Sequence, residues 1–99
     1  MISDLEDVIE ELSLAGEGTY KNHFYVINIA NSDDYAKMYT HLSKVAINTE
    51  YPAFDDTPNK ATDSLVSYFE YYKDDDTYLL FLMADFANDT YKLKIGRKA

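Results

Sequence analysis

Along residues 2–14, ISDLEDVIEELSL, apolar side chains recur three and four apart at Ile2, Leu5, Val8, Ile9 and Leu12. That spacing places them on one face of a helix. Ser3, with Glu6 three residues on, forms a capping-box pattern at its start, and Ala15-Gly16-Glu17-Gly18 predicts its end. Residues 20–30, YKNHFYVINIA, are rich in aromatic and β-branched types and predict one strand. Asn31-Ser32-Asp33-Asp34 then reads as a second helix start. This helix is expected to run to about Ile47, with Tyr35, Met38, Tyr39, Leu42 and Val45 or Ala46 turned inward. Residues 48–62 hold both prolines and predict a long loop.

The C-terminal part changes period. In residues 63–72, DSLVSYFEYY, Leu65, Phe69 and Tyr72 would suit a helix, whereas the composition favours a strand. The following segment decides for a strand: residues 77–87, TYLLFLMADFA, are apolar on both faces, as a covered central strand would be. Asn88-Asp89 is a turn signal, after which Tyr91, Leu93 and Ile95 alternate with Lys92 and Lys94. The last three strands form a meander with Lys73-Asp74-Asp75-Asp76 at one hairpin tip. The expected fold class is α+β in the order αβαβββ: a mostly antiparallel four-stranded sheet with two helices packed on one face. Leu80, Leu82, Val66 and Tyr68 would then need a cover on the other face, either a second copy in a homodimer or the 48–62 loop.

Length and composition narrow the picture. The chain of 99 residues has the size of one domain. No cysteine is present, which excludes disulfides and thiolate metal sites. No apolar run reaches the roughly 18 residues of a membrane span, and the acidic start (Asp4, Glu6, Asp7) is unlike a signal peptide. A cytoplasmic protein is expected.

Charge is the strongest signal. Eighteen acids face nine bases, giving a net charge of −9. Residues 90–99 carry four of the bases (Lys92, Lys94, Arg97, Lys98) and no acid, so residues 1–89 stand at −13. Such a chain repels nucleic acid and anionic membranes and attracts basic partners. The basic tail reads either as an exposed edge strand protected by lysines or as a second contact to an acidic surface.

His23 and His41 sit in no recognisable motif, and Gly16, Gly18 and Gly96 form no phosphate cradle. Asp74, Asp75 and Asp76 are contiguous, so their side chains diverge, unlike the alternating acids of a calcium loop. No enzyme activity, cofactor or metal is expected. The candidate partner-binding residues are the acids themselves: Asp4, Glu6, Asp7, Glu10 and Glu11 on the first helix, then Asp33, Asp34, Asp55, Asp56, Asp74, Asp75 and Asp76. Each cluster alone is what keeps a small protein soluble. Together they suggest more, because B-form DNA carries a charge about every 1.7 Å of its axis. A helix rises about 1.5 Å per residue, so the first helix would lay five carboxylates along roughly 20 Å, a row that the other acidic clusters could extend.

In size, charge and the acidic helix ISDLEDVIEEL, the chain resembles the small acidic DNA-mimic proteins that phages make to disable host machinery. The targets of that class include histone-like nucleoid proteins such as HU, restriction and CRISPR nucleases, uracil-DNA glycosylase and RNA polymerase. The resemblance implies a non-enzymatic inhibitor that occupies the DNA-binding surface of a basic host protein and does not itself bind nucleic acid. It favours an HU-type target, whose arms grip the minor groove. The moderate charge and the basic KLKIGRK depart from the most extreme members. The competing expectation is an immunity or antitoxin protein that covers a basic nuclease active site.

Overall fold

The computed structural model describes residues 2–14, 18–21, 24–49 and 64–98. They form two helices and six strands. These are α1 (Ile2–Glu11), β1 (Gly18–Lys21), β2 (Phe24–Ile29), α2 (Ser32–Val45), β3 (Ile47–Asn48), β4 (Ser64–Lys73), β5 (Asp76–Asp85) and β6 (Thr90–Arg97). The class is α+β, as the periodicities imply. The sheet, however, has six strands in the order β1-β2-β6-β5-β4-β3, with every described pair antiparallel.

The expected four strands become six for two local reasons. The segment read as one strand over 20–30 is a hairpin, in which β1 folds back on β2 with Lys21 opposite Phe24. The short β3, where the second helix was expected to end and the loop to begin, instead pairs with the middle of β4, Ile47 opposite Glu70. Both added strands are short and sit at the sheet edges, which limits the exposed pairing surface. The basic β6 is not an edge: it lies between β2 and β5 and is hydrogen-bonded on both sides. The stretch that is ambiguous in sequence holds strand β4, Ser64–Lys73.

Both helices end through defined chemistry. α1 begins at Ile2, so Ser3 lies inside its first turn instead of capping it. It stops before the Gly-containing stretch, because Ser13 takes the left-handed conformation at φ 53°. Leu14 N–H donates to the Ile9 carbonyl and Ser13 N–H to the Glu10 carbonyl, both at 3.0 Å. These are the two bonds of a Schellman motif, here with a serine where glycine is usual. α2 is capped by Asn31, whose Oδ1 accepts from Asp34 N–H at 2.9 Å. Of the side chains expected inward, Met38 and Leu42 are buried, while Tyr39 stays 39% exposed.

The two sheet faces carry separate cores. Val8, Leu12, Met38 and Leu42 of the helices pack on Ile27, Phe69, Leu80, Leu82, Leu93 and Ile95. Leu80 and Leu82 therefore point to the helices, not to the opposite face where a dimer contact was expected. The opposite face carries Tyr68, Leu79 and Phe81, with Phe24, Val66 and Met83 packed around them. Phe81 has no exposed surface and Tyr68 only 3% within a single chain. Aromatic packing (Phe24 and Tyr68 against Phe81 at ring-centroid distances of 6.0 and 5.1 Å) and the Lys94 ammonium, 4.8 Å from the centre of the Phe24 ring, contribute to that cover.

Candidate functional site

The β4–β5 hairpin closes on Lys73 opposite Asp76, leaving Asp74 and Asp75 as its two-residue turn. Asp74 holds φ 54°, a region aspartate enters more readily than most residues but still at a cost. The turn needs one residue tolerant of positive φ. It does not need three adjacent carboxylates, and Asp74, Asp75 and Asp76 are all exposed.

Folding brings this tip to the acidic helix. Lys73 Nζ lies 3.1 Å from Glu11 Oε1, and the Tyr71 hydroxyl donates to Glu11 Oε2 at 3.1 Å. The Lys73 ammonium holds the Glu11 carboxyl below its ordinary value; desolvation opposes it, and the Tyr71 bond adds to the lowering. Asp7 also acts on Lys73, raising its pKa together with Glu11. The α1 acids Glu6, Asp7 and Glu10 are exposed on the helix that Glu11 ties to the tip, and Asp4 lies in the first turn of the same helix. Glu11 sits at the helix end where an acid opposes the macrodipole; its place is explained by Lys73 and Tyr71. At the tip, Arg97 Nη1 stands 3.9 Å from Asp76 Oδ2. The basic tail thus offsets one of the three tip aspartates.

The remaining predicted acids do not join this row. Asp33 and Asp34 occupy the first turn of α2, where negative charge suits the helix dipole. They lie at the other end of the sheet, since Tyr35 packs on Phe86 and Tyr91 at the β5–β6 turn. The ten residues of β5 separate the two ends by about 30 Å at a strand rise of about 3.3 Å per residue. Asp55 and Asp56 lie outside the described residues.

Sequence reading missed a carboxylate held between two phenols. Tyr68 donates to Glu70 Oε2 at 2.6 Å and Tyr72 donates to Glu70 Oε1. Residues 68, 70 and 72 share the sheet face away from the helices, because strand side chains alternate. The two phenol bonds keep the Glu70 carboxyl below its ordinary value, and the Lys98 charge adds to this. Desolvation first, then Glu70, push the Tyr68 phenol well above the usual range. The Tyr-Glu-Tyr spacing at alternate positions was the available signal, legible once 64–73 is known to be a strand.

A groove of about 400 Å³ opens between the end of α1, the end of β2 and α2, lined by Ile29, Met38, Asp34, Lys37 and His41 among others. His41 Nε2 is hydrogen-bonded to the Leu12 carbonyl at the end of α1. That nitrogen therefore donates to a helix terminus and is not free to act as a base. Among the described residues no three His, Asp or Glu side chains converge as a metal set, and no helix is long and apolar enough to cross a membrane. No protein-family model, no curated protein and no solved structure matches this chain.

Proposed function

We propose that the protein is a non-enzymatic inhibitor that occupies the DNA-binding surface of a basic bacterial protein, with an HU-type nucleoid protein as the first candidate target. The observation that carries this reading is the joining of α1 to the β4–β5 tip through Glu11 and Lys73. It joins the helix that carries the exposed acids Glu6, Asp7 and Glu10 to the hairpin tip that carries Asp74 and Asp75. A rigid array of carboxylates gains from a basic channel what DNA phosphates gain, with the same sensitivity to salt. The unused acidity of the tip also supports the reading, since the turn geometry calls for only one aspartate.

Competition tests it. A fluorescent DNA duplex bound to an HU-type protein should be displaced by the chain at low salt, and less so as salt rises. Combined reversal at the tip (D74K, D75K) and on α1 (E6K, E10K) should abolish displacement. Undiminished displacement by that variant would refute the reading. Salt-resistant binding to a single nuclease, with no effect on the DNA complex, would assign the immunity role instead.

A further inference from the structure

The groove of about 400 Å³ between the end of α1, the end of β2 and α2 does not stand alone. A second hollow of about 340 Å³ lies along α2, between Ala36 and Lys44, and Lys37 and His41 line both spaces. The first space has an apolar wall. Ile29 and Ala30, at the end of β2, line it from the sheet, and Met38, 8% exposed, lines it from α2. The His41 ring, common to both spaces, is fixed by the bond from its Nε2 to the Leu12 carbonyl. A concave space of this volume, with an aliphatic wall and a few polar groups at its margin, has the make-up of a small-molecule site.

The charges at the margin select the ligand. In a chain with twice as many acids as bases, Lys73 and Arg97 each face a carboxylate, of Glu11 and Asp76. Lys37 and Lys44 face no carboxylate at ion-pair distance among the described residues. Lys44 in the last turn suits the helix dipole, whereas Lys37, in mid-helix, has no such role. Its ammonium is available to an anion at the border of the groove. Lys44 lies seven residues further on, about 10 Å along the helix axis, within reach of the same anion across the second hollow. Thr40 Oγ1 donates to the Ala36 carbonyl, which leaves the two ammonium groups as the donors there. Asp34, one turn before Lys37, also lines the groove and repels further negative charge, so the site suits one anionic group and not a polyphosphate. Neither Phe nor Tyr is among the described residues that line the two spaces, so a nucleobase would find no ring to stack on.

We infer that this groove binds a small aliphatic carboxylate, its chain against Ile29, Ala30 and Met38 and its anionic group between Lys37 and Lys44. The site is independent of the acidic surface on α1 and the hairpin tip, because it takes an anion, which that surface repels.

The test follows NMR amide shifts of the whole chain during titration with three probes. Octanoate carries both chain and charge, 1-octanol the chain alone, and acetate the charge alone. Octanoate should give saturable shifts at residues 28–30, 34, 37, 38, 41 and 44. Octanol should act more weakly at 28–30 and 38, and acetate should shift none of them. K37Q with K44Q, both at exposed helix positions, should weaken octanoate binding about fivefold and leave octanol unchanged. A30L, which fills the groove from an exposed position, should block both, a check that does not depend on charge. Absence of saturable shifts at these residues, octanol binding as tightly as octanoate, or undiminished octanoate binding by the lysine variant would overturn the inference. D74K with D75K should leave octanoate binding in place, so this site and the DNA-displacement reading fail separately.

Discussion

Lys73 Nζ and Glu11 Oε1, 3.1 Å apart, fasten the C-terminal end of α1 to the tip of the β4–β5 hairpin. The contact fixes the spatial relation of two acidic stretches that the chain keeps far apart. It also consumes one carboxylate and one ammonium of the surface it organises.

That bond predicts an acid dependence. The Glu11 carboxyl is held low by Lys73, and Glu70 is held low by Tyr68 and Tyr72. A carboxyl held low in the folded chain adds stability that is present above its ordinary value and lost as pH falls through the lowered one. Urea midpoints measured at falling pH should therefore drop below about pH 4.5. E11Q and E70Q should each flatten that drop, and E11Q should make the midpoint less sensitive to salt.

The phenols predict the opposite limb. Tyr35, Tyr68, Tyr71, Tyr72 and Tyr91 are all raised above the ordinary phenol value, Tyr35, Tyr68 and Tyr71 chiefly by desolvation, Tyr72 and Tyr91 chiefly by bonds to Glu70 and Asp89. A raised group adds stability that is complete below its unfolded value and lost as pH rises through the folded one. Stability should decline above about pH 10, followed by urea midpoints measured at rising pH. In Y68F the Glu70 carboxyl loses a donor, so its NMR titration should move up toward the usual carboxylate range.

Backbone strain at Ser13 and Asp74 predicts two stabilising substitutions. Both residues hold positive φ where glycine is free to do so. S13G and D74G should each raise the unfolding free energy by about 1 kcal/mol, D74G gaining further from reduced repulsion at the tip. D75G is the control: Asp75 is not among the residues at positive φ, so added chain freedom should make it neutral or destabilising.

Phe81 predicts that the face away from the helices is a true core. It is as completely buried as Phe69 on the helix side. F81A should cost about 3–5 kcal/mol, like F69A. A much smaller loss for F81A would mean that this face is only loosely packed.

Gly18 predicts a steric limit in β1. A Cβ there would lie 2.5 Å from both the Val26 carbonyl oxygen and a Tyr25 ring carbon. G18A should destabilise the edge hairpin by about 1–3 kcal/mol and disturb the bond from Gly18 N–H to the Tyr25 hydroxyl, seen as lost protection of that amide in hydrogen exchange.

Local pattern carried much of the fold. The period of three and four in 2–14, the Asn31 cap and the alternation in 90–97 each placed an element correctly, because each signal is complete within one turn or a few strand residues. Elements whose identity depends on a distant partner were not legible. β3 is two residues that become a strand only against Glu70 and Phe69. The 20–30 segment reads as one strand because both arms of its hairpin have strand composition. Glycine at 16 and 18 drew the expected end of α1 too far, since Ser13 accepts the left-handed position once Leu14 and Ile9 join the core.

The candidate surface divides the same way. By itself the sequence determined how acidic the protein is and which stretches carry the acids, because composition is a local fact. Only the tertiary structure decided which acids meet. It set α1 against the hairpin tip through Glu11 and Lys73, sent Asp33 and Asp34 to the opposite end, and turned Arg97 onto Asp76. It also gathered Tyr35, Phe86 and Tyr91 into one cluster. Charges and rings far apart in sequence acquire a spatial relation only when sheet register fixes it, and register follows from burying two apolar faces at once.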